Sequence, residues 1–347
     1  MRISIVSDIP WGYGSPQVGY LKDSLGARKI EIQFIVPSYS ERPLLLADGI
    51  TEILGEGRPF SWEGMVGFGK RAAKLVSKFD PNKIVIVNPR SLAAIPFLKK
   101  SDADMIYYGL EPITDHGKGF TSVIALQKFQ FQIGIFPNIE RAIADATTLS
   151  IPPKQIRIIR NVPKLSDHSP TITNKEKGIT YVGSLDAGWV NLEVLDYAAS
   201  LAPLKIWGHA EKKLSPKISQ SYQGALPHSQ IGKAFGQADL SLILWKPVNF
   251  GTKNAAPNKF FEAMSFGVPS VSFPYPQVVE LVSKHGIGFV ADSFSIKSFN
   301  TILTETYKMV ESQQFKEIKE MCLILHKNKL NWELESAAVI DEIISAI

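Results

Sequence analysis

The stretch Ala256-Pro257-Asn258-Lys259-Phe260-Phe261-Glu262-Ala263-Met264-Ser265-Phe266-Gly267-Val268-Pro269-Ser270-Val271 decides the fold. A proline followed by a polar residue opens a helix, because proline presets φ and lacks only an N–H that the first turn leaves unbonded anyway. Phe260, Phe261 and Met264 supply its buried side, Gly267 ends it, and 268–271 enters a strand. The start of such a helix offers unbonded amides and the positive end of the helix dipole, which suits a phosphate. Lys259 adds one positive charge in the first turn. Glu262 follows one turn later on roughly the same face, within reach of a sugar attached to a phosphate held there. A carboxylate can accept from both hydroxyls of a ribose.

Working outward, short apolar runs alternate with helix-periodic segments, the pattern of parallel strands joined by crossover helices. In the first half the spacing predicts strands at 2–7, 31–36, 83–88, 104–108, 132–136 and 155–159, with helices from 16 to about 26, at 62–79 and at 139–149. Residues 161–178, rich in proline, serine and charge, read as a linker. A second alternation follows: strands at 179–182, 204–207, 240–244, 270–273 and 288–291, with helices at 190–200, 228–237, 258–266 and 277–284. Helices finish the chain. Two doubly wound halves are expected, with ligands beyond the carboxyl ends of the strands, in the crevice between the halves.

The 347-residue length favours two domains. With 45% hydrophobic and 20% charged residues the composition is that of a folded globular protein, which excludes disorder as the main state. A single cysteine, Cys322, excludes both an intrachain disulfide framework and a thiolate metal cluster, and fits a reducing compartment. The first residues are apolar too briefly for a signal-peptide core, and no run reaches the length of a membrane-spanning helix. The expectation is a cytoplasmic protein, peripheral at most to the inner face of a membrane. The net charge of +5 lies wholly in residues 1–160, which hold 20 Lys/Arg against 15 Asp/Glu. That asymmetry suits a phosphate-bearing or lipid-linked partner. Nucleic acid is not expected as a partner, because there is no arginine-rich tract and no recognition motif.

Three further stretches carry chemistry. Gly109-Leu110-Glu111-Pro112-Ile113-Thr114-Asp115-His116-Gly117-Lys118-Gly119 follows a strand, so it lies at a carboxyl end facing the crevice, and combines carboxylates with a histidine, groups able to take or give a proton; Asp115 and His116 are the candidate catalytic groups, against a plain polar glycine-rich loop. Asp8-Ile9-Pro10-Trp11-Gly12-Tyr13-Gly14-Ser15-Pro16 follows the first strand but lacks the glycine spacing of a dinucleotide loop, while Trp11 and Tyr13 suit stacking on a sugar. The helix at 62–79 sets Lys70, Arg71, Lys74 and Lys78 beside Trp62, Met65 and Phe68; one buried and one solvated face is the favoured reading, and a helix lying on an anionic membrane the alternative. No zinc-protease helix and no calcium loop occurs, so neither a metal nor another cofactor is expected.

The 256–271 stretch resembles the Pro-Asn-Lys-Leu-Phe-Glu signature of GT-B glycosyltransferases, the large family of sugar-nucleotide-dependent enzymes of surface-glycan and lipid-linked oligosaccharide synthesis. Other stretches resemble the family in order: 139–162 with Pro152-Pro153-Lys154-Gln155-Ile156-Arg157, the loop Tyr181-Val182-Gly183-Ser184-Leu185, the unit from Gly224 through Pro227-His228 to Ala238-Asp239-Leu240, and Trp332 near the end. The resemblance implies an α/β protein of GT-B type, two doubly wound Rossmann-like domains facing across a cleft. It implies an acceptor-side domain at 1–163, a linker at 164–178, a nucleotide-sugar domain at 179–328 and a C-terminal helix at 329–347 that crosses back. It implies transfer of a sugar from a UDP- or GDP-type donor to a hydroxyl of a saccharide or lipid-linked saccharide. Glu262 would bind the donor ribose and Lys259 its diphosphate, with Asn258, Gly183, Ser184 and Asn254 as further donor contacts. Two departures stand out. Asn254 occupies the place, eight residues before Glu262, where many members have a second glutamate, and Asp186-Ala187-Gly188-Trp189 follows the glycine loop where they have a cation. Lys259, Lys253 and Lys246 are then the available cations. The alternatives are a sugar-nucleotide epimerase or hydrolase on the same fold, or a catalytically inactive binding relative.

Overall fold

The computed structural model describes residues 1–9, 16–38, 50–56, 61–98, 103–127, 129–167, 178–210 and 214–345. Trp11 and Tyr13, and most of the stretch read as a linker, lie outside them. The chain divides into two compact units, one of Met1–Arg160 with Ser336–Ile347, the other of Asn161–Glu335.

The first unit holds β1 (Arg2–Ser7), β2 (Glu31–Ser38), β3 (Ile50–Glu56), β4 (Lys83–Val87), β5 (Asp104–Tyr108), β6 (Ile133–Phe136) and β7 (Ile156–Ile158). They form one sheet in the order β3-β2-β1-β4-β5-β6-β7, every pair parallel. β1 and β4 are buried along nearly their whole length, as expected of parallel strands covered on both faces, and the polar Ser4 and Lys83 among them are paired inside, with Gln33 and Gln132. The order reverses between β1 and β4, a topological switch point. Helix Trp62–Phe79 lays Met65, Phe68, Ala72 and Val76 on Val6, Ile35, Ile84 and Ile86. Gly69 lets the same helix approach the 3-10 segment Pro89–Phe97, since a Cβ there would come within 2.1 Å of the Ala93 carbonyl oxygen. The opposite face of the same helix keeps Lys70, Arg71 and Lys74 exposed, with Trp62 51% exposed at its start.

The second unit holds β8 (Ile179–Val182), β9 (Leu204–Trp207), β10 (Leu240–Ile243), β11 (Ser270–Ser272) and β12 (Gly288–Val290), ordered β12-β11-β10-β8-β9 and again all parallel. Its switch point lies between β8 and β10. Helices Ile296–Lys308 and Gln313–Asn328 close its core around Phe299, Leu303, Phe315 and Cys322. The last helix, Trp332–Ser345, starts in the second unit, where the Trp332 amide donates to the Pro163 carbonyl at 2.9 Å. It ends in the first, where Arg157 donates twice to Glu342 at 2.6 Å and Arg28 donates to Asp341 at 2.9 Å.

Several segments differ from the sequence expectation, among them the short helices Pro216–Ser221 and Phe250–Lys253 and the 3-10 segment Pro89–Phe97, which were not expected. A strand, β3, and a helix, Lys118–Leu126, occur where neither was expected. The expected helix at 228–237 is a 3-10 turn, His228–Gln230, followed by one helical turn, Gly232–Phe235. Gly232 and Gly236 give that segment too little helical propensity to run on.

Candidate functional site

In the second unit the helix Asn258–Ser265 follows β10 and leads to β11. Pro257 is its N-cap and contributes no side-chain bond, and Gly267 closes it with φ of 69°. Phe260, Phe261 and Met264 join the core, while Ala263 packs with Val182, Ala234 and Phe235. The approach to the helix is fixed from a distance in sequence: buried Asn161 donates its side-chain amide to the Ala256 carbonyl at 2.7 Å.

Glu262 is only 1% exposed, so it is no solvated surface carboxylate. Lys259 Nζ donates to its Oε2 at 2.6 Å, and His228 Nε2 stands 3.4 Å from its Oε1. Burial alone would raise the carboxyl; the Lys259 charge first, then the His228 ring, overcome that and hold it down at about 2. Glu262 is therefore an anion at every physiological pH, a strong acceptor kept in place by the Lys259 ammonium, with the His228 ring close to its other oxygen. The ammonium at 2.6 Å is committed to Glu262 and, being on a flexible stem at the first turn, can turn toward a phosphate without leaving that site. Sequence reading placed His228 at the start of a helix rather than in a site. The signal was local, Pro227-His228 opening a turn, but its partner lies 34 residues on.

Gly183 ends β8 and pairs with β9 through its amide, 2.9 Å from the Trp207 carbonyl. The loops after β8 and β9 meet backbone to backbone. Gly208 has φ of 153°, and a Cβ there would stand 1.6 Å from the Gly183 carbonyl oxygen. Tyr181 donates to the Ser184 carbonyl at 2.7 Å and Tyr222 to the Gly208 carbonyl at 2.8 Å, so both loops are braced from below. Ser184 is exposed; its hydroxyl accepts from the Asp186 amide at 3.2 Å. Lys246, one of the alternative cations, donates to the Ala187 carbonyl at 2.7 Å. Asn254 caps the short helix Phe250–Lys253, its side-chain amide donating back to the Phe250 carbonyl at 3.0 Å. Lys253 is exposed beside it. Thus Lys259, Glu262 and His228 form one cluster. Asn258 opens the same helix, and Gly183 and Ser184 lie at the switch point.

Asp115 and His116 belong to the first unit, in the 3-10 turn Ile113–His116 that follows β5. Asp115 is exposed, and His116 Nε2 lies 3.8 Å from Glu111 Oε2 with its ring 5.4 Å from that of Phe120. Among the described residues, no three His, Cys, Asp or Glu side chains are placed to hold a metal ion. The sequence contains one Asp-x-Asp, Asp102-Ala103-Asp104, whose second aspartate is the first residue of β5; Asp102 lies outside the described residues and Asp104 pairs with buried Lys83 at 3.3 Å. No described helix is long and apolar enough to cross a membrane.

No family model and no curated protein sequence matches the chain. Solved structures do match its backbone. Sucrose-phosphate synthase from Thermosynechococcus elongatus superposes with a TM-score of 0.78 at 13% identity, over 100% of each chain. Anabaena HepE, in complex with UDP and glucose, gives 0.72 at 15% identity, over 99% of this chain and 100% of its own. A glycosyltransferase from Rickettsia africae ESF-5 gives 0.75 at 11% identity, over 100% of this chain and 99% of its own. Likeness at such identities is likeness of fold, and with two all-parallel, doubly wound α/β units matched over their whole length the chain has the GT-B fold.

Proposed function

We propose that the protein is a glycosyltransferase that moves a sugar from a nucleotide-diphosphate donor, of UDP or GDP type, to a hydroxyl of a saccharide or lipid-linked saccharide. The observation that carries this reading is the buried Glu262, held anionic by Lys259 and His228 one turn into the helix Asn258–Ser265. A buried carboxylate with one oxygen bonded to an ammonium and otherwise expensive to keep suits recognition of a ribose diol. HepE, which shares the fold, has been seen with UDP and glucose, which supports the UDP option here.

In the proposed reaction the acceptor oxygen bonds to the anomeric carbon as the bond from that carbon to the diphosphate breaks, and the electron pair leaves with the diphosphate. The amides at the start of the helix and the Lys259 ammonium stabilise the departing charge. Asp115 or His116 assists at the acceptor, taking the hydroxyl proton. Asn258, Gly183, Ser184 and Asn254 complete the donor contacts. No metal enters this scheme. The exposed Lys70, Arg71 and Lys74 beside Trp62 support peripheral contact with an anionic membrane, where a lipid-linked acceptor would be found.

Asn254 and the cation-free loop after Gly183 favour a second reading, a relative that binds sugar nucleotides without transfer. One experiment separates the two. The protein is incubated with labelled UDP- and GDP-sugars and saccharide acceptors, following free nucleotide and labelled product. Transfer supports the enzyme; binding without turnover of any donor supports the second reading.

A further inference from the structure

The turn that carries Asp115 and His116 is held by buried polar groups that the proposed chemistry does not use. Asn88, fully buried at the end of β4 with φ of 66°, accepts from the amides of both Leu110 and Glu111 at 3.0 Å. Arg141, 7% exposed on the helix Ile139–Leu149, donates through Nη1 to the Leu110 carbonyl at 2.7 Å. Asp145, one turn further along that helix and fully buried, accepts the Ile113 amide on Oδ1 at 2.9 Å. A guanidinium and a carboxylate have thus been taken out of water to bond the main chain of one short turn. Packing alone would be served as well by apolar side chains.

We propose that Asp145 and Arg141 are positioning residues, which hold the 110–116 turn so that Asp115 and His116 meet the acceptor in one fixed geometry. The proposal rests on the transferase reading and on the role given there to Asp115 and His116. Charge supports it. The groups facing Asp145 are Arg141 on its own helix, Tyr107 on β5 and Asp115 in the turn; Arg141 in turn faces Asp115, Glu111 and Glu140. Burial, more than the repulsion from Asp115, pushes the Asp145 carboxyl up to about 7, against the Ile113 amide and Arg141. The charge beneath the turn therefore changes near neutrality, and the ionisation of Asp115 is coupled to it.

The test uses the full chain, with Asp145→Ala and Asp145→Asn read by transfer kinetics across pH and by hydrogen exchange. Asp145→Ala removes the acceptor of the Ile113 amide; kcat should fall about tenfold to a hundredfold with the donor KM unchanged, and 110–116 should exchange faster while β5 stays protected. Asp145→Asn keeps an acceptor for the Ile113 amide without the charge, so it should recover much of kcat and slow the exchange of 110–116 again. A folded Asp145→Ala protein with wild-type kcat, or with wild-type exchange at 110–116, overturns the proposal. So does an Asp145→Asn protein whose kcat is no higher than that of Asp145→Ala. If the wild type turns over no donor, the transferase reading fails and this one with it; that outcome is seen in the wild type alone and is separate from any effect of the variants.

Discussion

Replacing Lys259 by methionine removes the ammonium 2.6 Å from a carboxylate that is only 1% exposed. The carboxyl of Glu262 lies at about 2 instead of the ordinary 4.5, a difference equal to about 3 kcal/mol of folding stability at neutral pH, shared between Lys259 and His228. Lys259 is itself 28% exposed, so part of its attraction is already screened, and the cost of Lys259→Met at pH 7 should be about 1–3 kcal/mol. The sign of the pH effect follows. Because the folded carboxyl is depressed, its contribution is fully present above the ordinary carboxylate range and is lost as pH falls from about 4.5 toward 2. In Lys259→Met, burial opposes only His228, so the loss should begin at higher pH. Urea unfolding of both proteins between pH 3 and 8 measures this, with Glu262→Gln as background: in that background Lys259→Met should cost almost nothing. A Lys259→Met protein with wild-type stability and wild-type pH dependence would refute the reasoning.

Two other perturbations test the supports of the site and of the chain. Gly208→Ala would push a Cβ into the Gly183 carbonyl oxygen, so the loops after β8 and β9 must part; a stability loss above about 3 kcal/mol, or failure to recover folded protein, is expected from thermal unfolding. Arg157→Ala removes both bonds to Glu342, a pair about one-third exposed on each side, so the global cost should be only about 1 kcal/mol; faster hydrogen exchange in the last turns of Trp332–Ser345 should report it locally.

The elements legible in sequence were those whose local chemistry and burial agree. Trp62–Phe79 and Ile139–Leu149 have capping side chains, Ser61 and Asn138, and strong apolar faces, and the helix Asn258–Ser265 sits between a proline and a glycine. The apolar run Ile84–Val87 in β4, and the apolar residues Ile3, Ile5 and Val6 of β1, announced a sheet covered on both sides. The helix Lys118–Leu126 was hidden because Gly119 and the β-branched Thr121, Val123 and Ile124 are poor helix formers, so tertiary packing of Phe120 and Ile124 decides it. At the site, the spacing of Lys259 and Glu262 is local and could be read directly. The burial of Glu262 and the approach of His228 arise from chain segments brought together only by the sheet, as does the grip of Asn88, Arg141 and Asp145 on the turn at 110–116. Sequence spacing does not encode such contacts.

Titration calorimetry of UDP and GDP against the wild type and Glu262→Ala, with Glu262→Gln as the isosteric control, tests the donor role of Glu262 most directly. The wild type should bind one of the two nucleotides, and Glu262→Ala, still folded, should bind it about 1–3 kcal/mol more weakly, roughly a fivefold to 150-fold rise in Kd. Equal affinity in the wild type and both variants, or no binding of either nucleotide by the wild type, would contradict it.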